Sequence, residues 1–313
     1  MDQLKKAIIN DFVKVKNKED EKNFNLVLKK LNGFLTLFFN KTKQEFENKI
    51  DFKANLIGDI SIKSNYDFLD NATIMIDYFG NSDDLTYSES YSKKSEIGKM
   101  LQDSMHPTKI AIPTTQDLIS NLYYYLSLNT KDMSLFQRKN GISLKFFDFK
   151  FFIFFTFASQ NNNNQEFEIK GKSYNFNFEL LHKNLLQKNK ETKGKFFDLV
   201  KFFKIIEREL SLLSKLNLNA SKNLYFYENL LYSLDNKIFE GEYIYDIFLK
   251  IYDYLFKVYK YENFDNLKNA ENNPLFLDKE YKLFAKYYIT KYDLKLVLKQ
   301  SKIFIDNIDE IIK

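Results

Sequence analysis

No cysteine occurs anywhere in the 313 residues. That excludes a disulfide framework, a thiolate metal site and a cysteine nucleophile. Histidine occurs only at His106 and His182, which argues against a histidine-built zinc site and against a Ser-His-Asp triad. Glycine (8) and proline (3) are scarce, so long regular elements are expected rather than a sandwich built on tight turns. Arginine appears only at Arg138 and Arg208, leaving lysine to carry the positive charge. There is no long hydrophobic run. The most apolar stretch, residues 146–158, contains Asp148 and Lys150 and is too short to span a bilayer. The opening residues carry acids and no apolar core of signal-peptide length. A cytoplasmic protein with no membrane partner is expected. The phosphate loop G-x-x-x-x-G-K-[ST], the dinucleotide fingerprint G-x-G-x-x-G and the zinc motif H-E-x-x-H are all missing.

What is present is aromatic. Phenylalanine (33) and tyrosine (21) stand out in a chain that is 44% hydrophobic and 28% charged, a globular balance with a large core. Lysine, asparagine, phenylalanine, isoleucine and tyrosine recur throughout, the bias an AT-rich genome writes. The net charge of +5 can signal an anionic partner. Lysines are spread along the whole chain, however, and carboxylates nearly match them, so a solvated surface accounts for most of that charge.

Residues 2–48 read as two helices, with Leu4, Ile8, Phe12 and Val15 at helical spacing and then Phe24, Leu26, Val27, Leu31, Phe34 and Phe38. Thr73–Phe79 is β-like and closes in a Gly80-Asn-Ser-Asp-Asp loop. Helices are expected over 95–105 and 115–128, the second capped by Thr114 or Thr115. Residues 134–158 are strand territory, and the asparagine run after it reads as a solvated hairpin tip before an alternating strand from Glu166. The doubly apolar run 151–157 fits a central strand covered on both faces. From Phe176 onward the pattern is helical, with Phe196, Leu199, Val200, Phe203, Ile206, Leu210 and Leu213 in one stripe. Further helices are expected over 225–234, 243–258, 275–288 and 291–312. The fold class is α+β: a mixed-sheet lobe with flanking helices over 1–175, then an all-helical lobe over 176–313.

Residues 58–79 read GDISIKSNYDFLDNATIMIDYF, a glycine turn, a polar stretch and a strand. This resembles the active-site entry of the nucleotidyltransferase fold shared by oligoadenylate synthetases, cyclic GMP-AMP synthase and bacterial cyclic-oligonucleotide synthases. There a Gly-Ser turn precedes a strand opening with Asp-x-Asp, whose carboxylates hold the catalytic metals. Here the turn is Gly58-Asp59, and the Asp-x-Asp positions fall on Asn71 and Thr73. The resemblance extends over roughly residues 20–300. Gly141–Phe149, GISLKFFDF, resembles the strand of the third carboxylate and puts Lys145 at its position. His182 and Asn189 stand where the family has its His and Asn. The helix FFDLVKFFKIIEREL, 196–210, resembles the lysine-bearing helix, with Lys204 matching. LYFYENLLYSLDNKIF, 224–239, resembles the later segment, with Glu228 matching its glutamate.

The resemblance implies a cleft that binds a nucleoside triphosphate or nucleic acid through Gly58, Lys201, Lys204 and Arg208. The three basic residues lie at i, i+3 and i+7, one helical face, which the bland alternative makes a solvated face opposite the core. Mg²⁺ takes hard anionic oxygens, and two such ions clamp the oxygens of a transferring phosphoryl group. Asn71, Thr73 and Lys145 offer none, so a catalytically degenerate protein is expected, with no certain cofactor. The rival is an active enzyme using Mg²⁺ on displaced carboxylates Asp70, Asp77 and Asp148. A third reading is an interaction scaffold. His182 is expected to be a packed, hydrogen-bonded histidine and Glu228 a partly buried acid bonded to a helix start.

Overall fold

The computed structural model describes residues 3–14, 18–46, 50–62, 72–80, 86–87, 111–158, 165–169, 172–176, 178–214, 225–264, 267–268, 270 and 289–308. Their contacts divide the chain into two units, each discontinuous in sequence. One gathers 1–17, 58–67 and 178–313; the other gathers 18–57 and 68–177. The break after residue 177 lies close to the expected lobe boundary at 175/176. The expected lobes were continuous, whereas the first helix and the Gly58 turn fall with the helical unit. Local pattern carries no information about such long-range packing.

The sheet unit opens with helix α2 (Lys18–Glu45), which follows α1 (Gln3–Lys14) of the other unit. Strands β1 (Ile50–Ile57) and β2 (Ala72–Gly80) come next, then the short pair β3 (Thr86–Tyr87) and β4 (Ala111–Ile112). Helix α4 (Thr115–Asn129) leads to β5 (Met133–Arg138), β6 (Gly141–Phe146), β7 (Phe149–Ala158), β8 (Gln165–Ile169) and β9 (Lys172–Phe176). The label α3 belongs to the single turn Asp59–Ile62. The main sheet runs β1-β2-β7-β6-β5, with β8 on β7 and β9 on β8. Among the described strands of that sheet only the β2–β7 pair is parallel.

The strand territory of 134–158 thus breaks into three antiparallel strands, and β7 is the expected central one. β8 pairs back on it at Phe157↔Glu166, on the far side of the asparagine run. Alternation sorts the two faces. Ile74, Ile76, Phe151, Ile153 and Phe155 are buried on the face taken by α2 and α4, where Phe24 stacks on Phe151 at 5.8 Å and meets Phe149 edge-on at 5.5 Å. Thr114, not Thr115, caps α4, in a reciprocal capping box with Asp117.

The helical unit holds α1, the Gly58 turn with α3, α5 (Phe178–Glu191), α6 (Lys195–Ser214), α7 (Phe226–Tyr232), α8 (Ile244–Tyr261) and α9 (Lys291–Asp306). Six members of the α6 stripe are buried, from Phe196 to Leu210. Phe202, Phe248 and Phe304, one each from α6, α8 and α9, form a triangle of edge-to-face rings at 5.2–5.9 Å, the arrangement that aromatic quadrupoles favour.

In α1 the expected face is displaced: Leu4 and Ile8 are exposed, while Ile9 and Val13 are buried. Leu26 of α2 is likewise exposed, and Leu35 takes a core position. The helices expected over 95–105 and 275–288, and the loop after Gly80, lie outside the described residues. Among the described residues no helix is long and apolar enough to cross a membrane.

Candidate functional site

Two clusters carry the sequence candidates, one in each unit. In the sheet unit, β2 presents Thr73, Met75 and Asp77 to the face opposite α2 and α4. Residues paired across strands share a face, so Phe152, Phe154 and Thr156 of β7 join them, as do Asn55 and Lys53 of β1. Thr73 is paired on both sides, with Ile57 and Phe152, which places it inside the sheet rather than on its edge. Asn71 and Asp70 lie outside the described residues.

The strand expected to carry the third carboxylate, β6, does not touch β2. β7 stands between them. Lys145 pairs with Lys150 of β7 and is exposed, with its Nζ 3.8 Å from Asp148 Oδ1. It shares the face of Thr73 but sits two strands away. Pairing across a sheet is a long-range property, and a local strand pattern cannot rank β6 against β7.

The displaced-carboxylate set comes apart as well. Asp77 is 2% exposed, and its two oxygens accept from Thr156 Oγ1 at 2.5 Å and Asn55 Nδ2 at 2.9 Å. Asp148 is in the exposed β6–β7 turn. Thr156, opposite Asp77, is eight positions beyond it (156 − 148 = 8), so roughly 25 Å of extended chain separates the two acids. They cannot hold one metal ion. Among the described residues no three carboxylates or histidines converge as a metal site.

The second cluster surrounds the Gly58 turn in the helical unit. Gly58 has φ +88°, a conformation glycine adopts without a Cβ penalty. Its N–H donates to Tyr225 Oη at 2.6 Å, and its carbonyl accepts from Ser61 Oγ at 2.6 Å. Tyr225 is buried and holds φ +60° immediately before α7, a strained value for a side chain of its size. Its hydroxyl also contacts His182 Nε2, and Ser61 Oγ lies 3.4 Å from the same nitrogen. Burial holds the His182 pKa below its ordinary value because desolvation disfavours the imidazolium. A neutral imidazole accepting from Tyr225 leaves the tyrosine oxygen to accept from Gly58. The expectation of a hydrogen-bonded histidine holds; its partner Tyr225 was not legible, since it lies 43 residues from His182 and 167 from Gly58.

The basic stripe of α6 does not form the solvated face offered as its bland alternative. Lys201 is 8% exposed and Arg208 is exposed beside Glu209, with Nε 3.6 Å from its Oε1. Lys204 is largely buried, and its Nζ lies 2.8 Å from Oε1 of fully buried Glu228. Glu228 was expected to be partly buried and bonded to a helix start; its partner here is a lysine side chain. One turn along, Glu207 accepts from Tyr227 Oη at 2.9 Å. Complete burial, then the Glu207 charge, push the Tyr227 pKa well above its ordinary value. Asn189 Oδ1 accepts from Phe197 N in the first turn of α6, a capping role.

No protein-family model matches the sequence, and no curated protein matches it. Solved structures match its fold over nearly its whole length. A CdnE cyclic dinucleotide synthase from Elizabethkingia meningoseptica, solved with GTP and Apcpp, is 15% identical, with a TM-score of 0.58 over 88% of this chain and 91% of that one. A STING-associated CdnE c-di-GMP synthase from Flavobacteriaceae sp. is 13% identical, with a TM-score of 0.61 over 96% and 85%. CdnC from E. coli MS115-1, in a complex with HORMA-deltaN, is 12% identical, with a TM-score of 0.60 over 97% and 90%. The chain has the α+β nucleotidyltransferase fold of these synthases.

Proposed function

We propose that this protein is a nucleotidyltransferase-fold pseudoenzyme, which holds a nucleoside triphosphate without transferring its nucleotidyl group. One observation carries the loss of transfer. Where the fold's strand offers paired carboxylates, the described position holds Thr73, and the buried acid on that face, Asp77, has both oxygens engaged by Thr156 and Asn55. Phosphoryl and nucleotidyl transfer depend on metal-clamped oxygens, and neither Thr73 nor Lys145 is an anionic ligand. The Gly58 turn supports the same reading, because its amide is taken by Tyr225.

The nucleotide half of the reading rests on fold likeness to structures that contain GTP with Apcpp, or ATP. Lys201 and Lys204 are the basic residues first assigned to that ligand. Lys204 is held by Glu228, so it would reach a phosphate only by exchanging partners.

Calorimetric titration of ATP, with Mg²⁺ and again with excess EDTA, tests the proposal. Equal affinity in both conditions, with no product from radiolabelled ATP, is the expected result. Metal-dependent binding with product formation would overturn the pseudoenzyme. No binding in either condition would leave a scaffold without a nucleotide.

A further inference from the structure

Helix α9 carries lysines 291, 295, 299 and 302, all exposed. At about 100° per residue they fall, with exposed Tyr292, inside one arc of roughly 100°. Buried residues take the rest of the core side: Val297 and Phe304 lie opposite the lysines, and Leu294 and Leu298 flank Lys291. The stripe runs for about 16 Å. Its end lysines are paired, Lys291 with Glu262 and Lys302 with Asp306. The middle two, Lys295 and Lys299, have no ion-pair partner among the described residues.

Helix α8 runs antiparallel beside this stripe. Its C-terminal Glu262 meets Lys291 at one end. At the other, Lys302 is held above its ordinary pKa by Asp306 and, more weakly, by Tyr252. Along the shared edge α8 presents a stacked pair, Tyr252 and Phe256, with centroids 6.2 Å apart, followed by exposed Lys260. Phe256 is 46% exposed and Tyr292 66%. The lysine stripe therefore lies between rings open to solvent, with Phe256 on its α8 side and Tyr292 on its other flank.

From this seam we infer that the α8–α9 face is a binding surface for single-stranded nucleic acid. Lys295 and Lys299 meet the phosphodiester backbone, and the rings of Tyr292 and Phe256 stack bases. Lysines that track a backbone beside aromatic platforms are the general means of holding single strands without reading sequence. An anionic membrane fits less well. An interfacial helix must present its apolar face to lipid, and that of α9 is already buried in the core. The inference stands independently of nucleotide binding, because it uses none of the residues around Gly58 or Lys204.

The test is fluorescence anisotropy of the full chain with a labelled oligothymidylate, between about 50 and about 200 mM salt. Each phosphate contact on a single strand contributes about 0.7 to the slope of log affinity against log salt. The variant Lys295→Ala/Lys299→Ala should therefore lower that slope by about 1.4. Tyr292→Ala should weaken binding about 5- to 150-fold while leaving the slope unchanged. Lys131→Ala/Lys139→Ala removes the same charge from exposed positions in the sheet unit and should change neither value. Thermal melts check that each variant is folded, which the exposure of every substituted side chain favours. The inference is overturned by salt-independent binding, by an equal effect of the two double variants, or by stronger binding to duplex or to phosphatidylserine vesicles.

Discussion

Lys204 and Glu228, on different helices of the same unit, form an ion pair of 2.8 Å in which the carboxylate side chain is 1% exposed and the lysine 15%. A charge removed this far from water is tolerated only with its partner present. Glu228→Ala, leaving the ammonium without that partner, should cost about 3–5 kcal/mol in urea unfolding. Lys204→Met with Glu228→Leu should recover most of that loss, since a well-packed apolar pair replaces both charges. A cost below about 1 kcal/mol for Glu228→Ala would be the value of an exposed pair, and would mean the two are not buried together.

His182 gives a pH dependence whose sign follows from its lowered pKa. Between the folded value and 6.5, the unfolded chain binds the proton that the folded chain refuses. Stability therefore rises with pH through that window and falls on acidification below about 6.5. His182→Gln should flatten this part of the curve, measured as melting temperature from about pH 8 to 5. Tyr225→Phe should keep the acid sensitivity, because burial is its cause, while lowering stability at every pH by leaving the Gly58 amide without its acceptor. An acid sensitivity unchanged in His182→Gln would assign it to other groups.

Much of the architecture was legible because local pattern and tertiary demand agree in it. The α6 stripe from Phe196 to Leu210 is buried as its spacing requires, and so are Phe151, Ile153, Phe155 and Thr156 of β7, whereas Phe152 and Phe154 are only half-buried. Helix α1 was misread because Leu4 and Ile8 repeat as cleanly as Ile9 and Val13, and only packing selects between the two stripes. The site was harder. Of the two residues assigned to the Asp-x-Asp positions, only Thr73 lies among the described residues, inside β2 between Ile57 and Phe152. The strand beside β2, the tyrosine on the Gly58 amide and the partner of Lys204 depend on contacts between distant residues, for which no periodicity exists.

Asp77 should behave as a structural acid. Thr156→Val removes a buried donor while preserving shape, so it should cost about 1–3 kcal/mol. Asp77→Asn should also destabilise, because an amide cannot accept from both Thr156 and Asn55 through two carboxylate oxygens. Addition of Mg²⁺ or EDTA should leave the melting temperatures of the wild type and of both variants unchanged. A Mg²⁺-dependent rise in wild type that disappears in Asp77→Asn would instead make Asp77 a metal ligand.

Two glycines should respond in opposite directions to the same substitution. Gly141 begins β6 opposite Arg138 of β5, and a Cβ placed there would lie 2.3 Å from the Ile153 carbonyl oxygen and 2.9 Å from the Phe152 ring. A carbonyl in a central strand cannot withdraw without breaking the β6–β7 ladder. Gly141→Ala should therefore destabilise by about 1–3 kcal/mol or more. Gly33 lies inside α2, where an added Cβ meets nothing within 4 Å. There alanine restricts the unfolded chain and suits the helix, so Gly33→Ala should stabilise by about 0.5–1 kcal/mol. Urea midpoints at constant m-value measure both. Equal signs would mean that the close approach of β6 to β7 at Gly141 is not maintained in solution.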